Sequence, residues 1–332
     1  MAETSPPLGQ HSAASITCVK KLAESPHLHS IPSYYAYYSN PAETMASDPH
    51  DSIPTIDLSL LTSDNSDHRS KAIQDLDKAC EEWGFFMEEK PEFQPENVLE
   101  PIRYGTSFNT AKEKVFWWRD FLKVFVHPEF HCPDTPQSLK EVVMEYCKKS
   151  REVVRKLLKG ISESLGIEES EMEKCLGLDS SLQIFAANLY PRCPNPDVAV
   201  GVAPHSDHGL FTLLIQNQVA GLHIQHKGNW VSVNPLPNSI LVNTADHLEI
   251  FSNGKYKSIL HRAVVNNMKP RISIAVANGP SADTVVSPAP HLLKTQGCRP
   301  AYVPMKYKDY LLTQQGSQLN GKSILRRVQI QD

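Results

Sequence analysis

From residue 182 onward the chain consists of short apolar segments separated by turn residues, and this pattern limits the possible folds more than any other feature. The segments are rich in β-branched and aromatic residues, while Asn, Gly and Pro occupy most of the breaks between them. Such a series of short strands is typical of an all-β sandwich or barrel. The predicted strands cover residues 182–189, 210–216, 222–226, 230–233, 240–242, 263–265 and 272–277.

Helical periodicity dominates the region before these strands. Apolar residues recur at helical spacing from Leu139 to Leu165, where Gly166 interrupts the pattern, so a long helix is predicted. Thr135 and Pro136 suit the N-cap and the first turn of that helix. The other predicted elements are a strand over 53–58, helices over 72–83 and 168–176, and a helical tail after residue 305.

The composition argues against several classes of protein. The 332-residue chain has a formal net charge of -4 and no long run of Lys or Arg, which argues against a nucleic-acid binder. No segment has the apolar length of a membrane span, and the N-terminus lacks the apolar core of a secretion signal. Seven scattered cysteines without a Cys-x-x-Cys pair indicate free thiols. We therefore expect a cytoplasmic protein, a monomer, that binds neither nucleic acid nor a membrane.

His205 and Asp207 are the first candidates for a chemical site. Residues i and i+2 of an extended segment point to the same side, so this imidazole and carboxylate can hold one metal ion. In a chain with 14 histidines, the pair alone is better interpreted as an ordinary surface pair. His261, on a later predicted strand, changes that interpretation. Two histidines and one carboxylate form the facial triad suited to non-haem Fe(II) oxygenases, with three coordination positions left open.

Arg271 and Ser273 repeat the same spacing ten residues after His261. A guanidinium and a hydroxyl on one face of a strand, directed into an apolar barrel, can bind a carboxylate. Taken alone, Arg271 is better explained by a surface salt bridge, which contributes little to stability.

Several of these motifs resemble those of the plant 2-oxoglutarate/Fe(II)-dependent dioxygenases, also called the iron/ascorbate-dependent oxidoreductase family. The resemblance extends from roughly residue 30 to the C-terminus, and its motifs are specific. The matching segments are Asn188-Leu-Tyr190-Pro-Arg-Cys193-Pro194, His205-Ser-Asp207, residues 252–262 around His261, Arg271-Ile-Ser273, residues 53–58 and residues 321–325.

The resemblance implies a mixed α and β fold. Its core is a double-stranded β-helix, or jelly roll, with an N-terminal helical region before it and a C-terminal helix after it. By position, the resemblance also implies that His205, Asp207 and His261 bind Fe(II) as the catalytic metal. The predicted parts are an irregular arm (1–50), the helical region (51–178), the jelly-roll core (179–282) and a C-terminal extension (283–332).

The resemblance further implies a cosubstrate site for 2-oxoglutarate. Arg271 and Ser273 are expected to bind its distal carboxylate, with Tyr190 and Asn188 assisting. Ascorbate is the reductant expected for this family.

One departure from the family lies after Met87. The family continues there into a strand with an Asn-His-Gly turn and then a helix, whereas this chain continues directly with Glu88 and contains no Asn-His-Gly. We therefore predict that a strand and a helix are absent, which would thin the N-terminal side and expose a sheet edge.

The predicted function is oxidation of a small specialised metabolite, phenolic, flavonoid or terpenoid, with release of succinate and CO2. Hydroxylation, desaturation and demethylation remain open as outcomes. One alternative is a relative resembling aminocyclopropane-carboxylate oxidase, which keeps the triad without using 2-oxoglutarate. Another is a jelly-roll protein that binds a ligand or metal without catalysis, because the gap opens its core. The predicted pocket wall comprises Leu210, Phe211, Leu213, Ala277, Asn278 and the aromatic residues over 104–118.

Overall fold

The computed structural model describes residues 18–37, 45, 67, 69–71, 73–74, 85–86, 100–107, 114–133, 137–316 and 321–331. Its helices are α1 (Val19–Ala23), α2 (Gln137–Leu165), α3 (Glu169–Leu176), α4 (Asp246–Phe251), α5 (Pro290–Gln296), α6 (Tyr307–Gln315) and α7 (Ser323–Val328). Its strands are β1 (Phe85–Phe86), β2 (Ile102–Thr106), β3 (Asp120–His127), β4 (Ser181–Tyr190), β5 (Val202–His205), β6 (Phe211–Gln216), β7 (Leu222–His226), β8 (Asn229–Val233), β9 (Leu241–Thr244), β10 (His261–Ala263), β11 (Arg271–Ser281), β12 (Val285–Val286) and β13 (Met305–Lys306).

Two antiparallel sheets form the body of the molecule. The larger sheet has seven strands in the order β1-β9-β6-β11-β4-β3-β2, and the smaller has four in the order β5-β10-β7-β8. Helices precede and follow the strands from β4 to β11. This arrangement confirms the predicted mixed α and β fold with a jelly-roll core.

Helix α2 covers one face of the larger sheet. Its residues Leu157 and Ile161 share a buried apolar cluster with Phe185 on β4 and with Ile274 and Val276 on β11. Full burial of such a side chain stabilises a fold by about 1.5–3 kcal/mol. Because successive strand residues point to opposite faces, the odd-numbered residues from 271 to 277 point away from the helix, into the interior of the jelly roll.

Most of the predicted elements are confirmed. Helix α2 ends at Leu165, and Gly166 follows it with a φ of 67°. The predicted helix over 168–176 corresponds to α3, which Gly177 ends in the left-handed conformation. The predicted strands correspond to β4 and to β6 through β11, with shifts at their ends. The largest shift concerns β11, which ends at Ser281 rather than at residue 277.

Besides the helices predicted for the region 51–178, the described residues of this region contribute β2 and β3 to the larger sheet. β3 pairs with β4 from Asp120 opposite Leu189 to His127 opposite Gln183. The sequence alone does not reveal strand β3. The aromatic residues before it mask the alternation of apolar and polar residues, and β3 is stabilised as a strand by its pairing with β4 rather than by its own sequence pattern. Helix α4 was also not predicted.

Several predictions lie outside the described residues. They are the strand over 53–58, most of the helix over 72–83, the N-cap at Thr135 and the absence of a strand and a helix after Met87. Residues 73 and 74 of the predicted helix are described and are helical. Strand β1, which precedes Met87, pairs with β9 at one edge of the larger sheet.

Two expectations from the composition can be compared with the described part of the chain. Every described helix is too short or too polar to cross a lipid bilayer. The six described cysteines are free thiols.

Part of the predicted N-terminal arm folds against the body. The carboxylate of Asp120 on β3 accepts hydrogen bonds from the backbone N–H groups of Val19 and Lys20, each at 2.7 Å, at the start of α1. Farther along, the Tyr35 ring packs edge-on against Trp118, with ring centroids 5.0 Å apart. These contacts attach residues 18–37 to the sheet.

We expect Asp120→Ala to destabilise the protein by on the order of 1–3 kcal/mol, because a charged carboxylate accepts both hydrogen bonds. Urea denaturation measures this loss, and limited proteolysis should show earlier cleavage near α1. Asp179→Ala removes an exposed carboxylate and serves as the control, with an effect within about 0.5 kcal/mol. Equal stability of the two variants would contradict the anchoring role of Asp120.

Candidate active site

Two antiparallel strands bring the candidate histidines together. His205 ends β5 and His261 begins β10, and the ladder between these strands places the two residues directly opposite each other. Their ring centroids are 4.2 Å apart. The pairing of these two strands therefore builds half of the predicted metal site.

The backbone fixes one ring nitrogen of each imidazole. Nδ1 of His205 lies 2.9 Å from the carbonyl oxygen of Ala203, and Nδ1 of His261 lies 3.2 Å from that of Ile259. A carbonyl oxygen can only accept a hydrogen bond, so Nδ1 carries the proton in both rings. Nε2 then keeps its lone pair, and each ring has the tautomer that a metal ligand requires.

Asp207 faces both Nε2 atoms. Its Oδ1 atom lies 3.7 Å from Nε2 of His205 and 3.7 Å from Nε2 of His261. Its other oxygen, Oδ2, accepts a hydrogen bond from Nδ2 of Asn243 at 3.0 Å. Asn243 was not predicted as a site residue. Asn243 reaches Asp207 because β9 pairs with β6, and the sequence does not reveal that these two strands are neighbours.

Burial and neighbouring charges set the protonation of this cluster. Burial, together with the nearby His261, lowers the pKa of His205 to about 3, so this imidazole is neutral near pH 7. Burial acts to raise the pKa of Asp207, but the two histidines and Asn243 outweigh it and hold the pKa below its usual range. Asp207 is therefore a carboxylate at neutral pH.

The donor set fits iron(II). The three ligand atoms of His205, Asp207 and His261 lie within 4.8 Å of one another. Among the described residues, these form the one group of His, Cys, Asp or Glu side chains able to hold a metal ion. Two imidazoles and one carboxylate are the ligands of non-haem Fe(II) oxygenases, and no thiolate takes part.

Arg271 begins β11 and is 2% exposed. The carboxamide oxygen of Gln216 accepts hydrogen bonds from Nε at 3.2 Å and from Nη2 at 2.8 Å, and the guanidinium lies 5.0 Å from the centroid of the Tyr190 ring. Nη1 is buried and has no hydrogen-bond partner in the described part of the chain. A buried donor left unpaired costs about 1–3 kcal/mol, so Nη1 fits a site for an acceptor group such as a carboxylate.

The backbone at Gly221 lies close to the side chain of Arg271. A Cβ atom on Gly221 would lie 2.7 Å from Cδ of Arg271. The absence of a side chain at Gly221 therefore lets the guanidinium occupy its position, which the turn pattern of the sequence did not indicate.

The other three predicted cosubstrate residues surround Arg271. The ladder between β4 and β11 places Arg271 opposite Tyr190 and Ser273 opposite Asn188, so all four residues lie in one block. Nη1 of Arg119 donates a hydrogen bond to Oδ1 of Asn188 at 3.1 Å and orients its carboxamide. Gln216 and Arg119 are thus two further supporting residues that the sequence did not predict.

A cavity of about 140 Å³ lies between Asp207 and the inner face of the larger sheet. Of the predicted pocket wall, Ala277 lines this cavity. Phe211 and Leu213 were wrongly placed there, since both belong to the apolar cluster beneath α2. The error is one of parity, because alternate residues of β6 face the helix and the interior.

Comparisons with known proteins agree with this geometry. A profile of the 2OG-Fe(II) oxygenase superfamily matches residues 181–280, and one described as "non-haem dioxygenase in morphine synthesis N-terminal" matches residues 53–96. The chain is 40% identical over 327 residues to 2-oxoglutarate-dependent dioxygenase 19 of Oryza sativa subsp. japonica, which covers 90% of this chain and 97% of the relative. The chain belongs to the 2-oxoglutarate/Fe(II)-dependent dioxygenases.

Two further relatives widen the comparison. Feruloyl CoA ortho-hydroxylase 1 of Arabidopsis thaliana is 34% identical over 79% of this dioxygenase and 78% of the relative. The solved structure of JOX2 in complex with 2OG, Fe and JA superposes with a TM-score of 0.81 at 27% identity, covering 95% of this chain and 98% of the other. The protein is thus an oxidoreductase whose cofactor is iron and whose cosubstrate is 2-oxoglutarate.

We expect Asn243→Leu to weaken Fe(II) binding by about ten- to a hundredfold, because the carboxylate of Asp207, the predicted metal ligand, loses the group that orients it. Anaerobic titration of the dioxygenase with Fe(II) measures the affinity. Asn229→Leu, at the start of β8, provides a matched control that should keep wild-type affinity. Unchanged iron binding in Asn243→Leu would exclude this orienting role.

Proposed function

We propose that this dioxygenase oxidises a small specialised metabolite, with iron held by His205, Asp207 and His261 and 2-oxoglutarate held by Arg271. The observation that carries the proposal is the convergence of this triad and the unpaired Nη1 of Arg271 on one jelly-roll interior. The similarity to feruloyl CoA ortho-hydroxylase 1 supports a phenolic or other plant-type substrate.

Each side chain has a separate task in this proposal. Arg271 and Ser273 bind the distal carboxylate of 2-oxoglutarate, and Tyr190 and Asn188 complete the wall around it. With iron and cosubstrate bound, dioxygen would be the four-electron oxidant: two electrons would come from the oxidative decarboxylation of 2-oxoglutarate to succinate and CO2, and two from the hydroxylation, desaturation or demethylation of the substrate. The protein orients the substrate and keeps water out of the interior.

The triad supplies the first test of this proposal. His205→Ala, Asp207→Ala and His261→Ala should each bind Fe(II) substoichiometrically and release no succinate, since every ligand contributes to one facial set. Metal analysis of the purified variants and a succinate assay measure the two effects. His291→Ala, on α5 far along the chain, is the matched control. A triad variant that keeps full iron and turnover would remove that residue from the ligand set.

The wild-type succinate assay also separates the alternatives. A chain that binds iron and 2-oxoglutarate but yields no succinate with any substrate would be the non-catalytic jelly-roll protein. A chain that oxidises its substrate without yielding succinate would resemble the relatives that dispense with 2-oxoglutarate.

Arg271→Lys supplies the second test. Lysine keeps the positive charge but loses the planar fork, so the apparent affinity for 2-oxoglutarate should fall roughly ten- to a hundredfold. The dependence of succinate release on 2-oxoglutarate concentration measures this change. Arg155→Lys, at a half-exposed ion pair on α2, should leave the dependence unaltered. The same 2-oxoglutarate requirement in both variants would refute the assignment of Arg271.

A further inference from the structure

Helix α6 carries three polar side chains along one face. Tyr307, Tyr310 and Gln314 are spaced by three and four residues, so they lie on the same side of the helix. Both tyrosines are fully buried, and Gln314 is half-buried. A buried hydroxyl or carboxamide is costly unless it finds a hydrogen-bond partner. The partners of these three side chains therefore indicate what this face of the helix contacts.

Two of the three side chains bind the residues on either side of Asp207. Nε2 of Gln314 donates a hydrogen bond to the backbone carbonyl oxygen of Ser206 at 3.1 Å. The hydroxyl of Tyr307 lies 2.7 Å from Nδ1 of His208. Because Ser206 and His208 are the chain neighbours of Asp207, helix α6 holds the chain before and after this proposed ligand.

Tyr310 reaches the same segment through Asp246 on α4. Its hydroxyl donates a hydrogen bond to Oδ2 of Asp246 at 2.6 Å, and Oγ of Ser206 donates to the same oxygen at 3.1 Å. The backbone N–H of Asp246 in turn donates to the carbonyl oxygen of Asp207 at 2.9 Å. Tyr310 therefore fixes a side chain whose residue binds both Ser206 and Asp207.

The chain that follows α6 is attached to the same segment by its backbone. The N–H of Gly321 donates to the carbonyl oxygen of Pro204 at 3.0 Å, and a parallel bridge pairs Gly321 with His205. Nζ of Lys322, the next residue, lies 2.8 Å from Oε2 of the buried Glu249 on α4. This ion pair secures Gly321 beside the end of β5. Residues 307–322 thus contact the chain from residue 204 to residue 208.

Apolar packing alone does not require these polar groups. Leu311 of α6 is buried in a cluster with Leu182 and Ile184 of β4, and this contact attaches the helix to the larger sheet. Phenylalanine in place of either tyrosine would fill nearly the same space without a buried hydroxyl. The hydrogen bonds of α6 therefore do more than dock the helix, since they restrain the segment that carries the proposed ligands.

We propose that Gln314 and Tyr310 are positioning residues for the metal ligand Asp207. Gln314 acts through the backbone of Ser206, and Tyr310 acts through Asp246. This inference rests on the proposed function, since it takes Asp207 as a ligand of iron. A carboxylate binds a metal well only in a fixed direction, which its hydrogen-bonded surroundings provide. Strand β9 holds one oxygen of this carboxylate, and α6 holds the backbone from which the side chain extends.

Titration of the intact protein with Co(II) tests the proposal without turnover. Gln314→Met and Tyr310→Phe nearly keep the size of the side chain and remove the donor. Each should weaken Co(II) binding about three- to tenfold, the effect of losing one hydrogen bond. The visible absorption of Co(II) depends on the number and geometry of its ligands. At saturating metal, each variant should therefore also change the intensity of this absorption.

Tyr302→Phe is the matched control for Tyr310→Phe. The hydroxyl of Tyr302 donates to Oε1 of Glu249 at 2.9 Å, so this substitution also removes a buried hydrogen bond to a carboxylate of α4. It should lower the midpoint of urea unfolding about as much as Tyr310→Phe, but leave the affinity and absorption of Co(II) unchanged. Gln329→Met, at an exposed glutamine after α7, is the control for Gln314→Met and should change neither property.

Two results would overturn the proposal. In the first, Gln314→Met and Tyr310→Phe bind Co(II) with the affinity and absorption of the wild type, so that α6 has a purely structural role. In the second, Tyr302→Phe alters the metal site as much as Tyr310→Phe, so that a general loss of stability explains the effect. Since Gln314 is only half-buried, Gln314→Met decides the question if Tyr310→Phe folds poorly.

The wild-type protein separates this inference from the proposed function. A wild-type chain that binds neither Co(II) nor Fe(II) refutes the iron site, and the positioning roles fail with it. A wild-type chain that binds both metals, beside variants that bind Co(II) equally well, refutes the positioning roles alone.

Discussion

The antiparallel pairing of β4 with β11 is the constraint on which the rest of the site depends. This ladder runs from Arg271 opposite Tyr190 to Asn278 opposite Gln183. It assigns one set of alternate residues to the helix-backed apolar core and the other to the interior. A slip of one residue would place Ile274 in the interior and Arg271 beneath α2. The burial of Ile274 and its neighbours therefore fixes the register, and the register in turn positions the polar groups.

Once the register places polar groups inside, each needs a partner. Asn243 fills this role for Asp207, Gln216 for Arg271 and Arg119 for Asn188. Among the described residues, the pairing is incomplete at Nη1 of Arg271. An unpaired buried donor costs about 1–3 kcal/mol, out of a typical total stability of 5–15 kcal/mol. Such a cost is tolerated where a ligand relieves it, which is why Nη1 of Arg271 indicates a binding position.

The difference between what the sequence predicts and what it misses follows from the range of each interaction. The i, i+2 spacing of His205 and Asp207, and of Arg271 and Ser273, is local, so one strand suffices to predict a shared face. Helix α2 could equally be predicted from the sequence, because its apolar residues recur at helical spacing. Asn243 and Gln216 act across neighbouring strands, and no local pattern indicates which strands become neighbours. Strand β3 was missed for the same reason, and its cations with it.

The residues proposed to carry the chemistry and the cations that line the cavity come from different parts of the fold. The proposed iron ligands and the proposed receptor for 2-oxoglutarate lie at the ends of β5, β10 and β11, all within the jelly-roll core. The cations that face the cavity come from β2 and β3, which precede that core, and Gln315 reaches Lys123 from α6, which follows it. Changes in these flanking elements can alter the charge of the cavity without disturbing the register of β4 and β11. Substrate preference can therefore vary on this fold while the iron and cosubstrate positions remain constant.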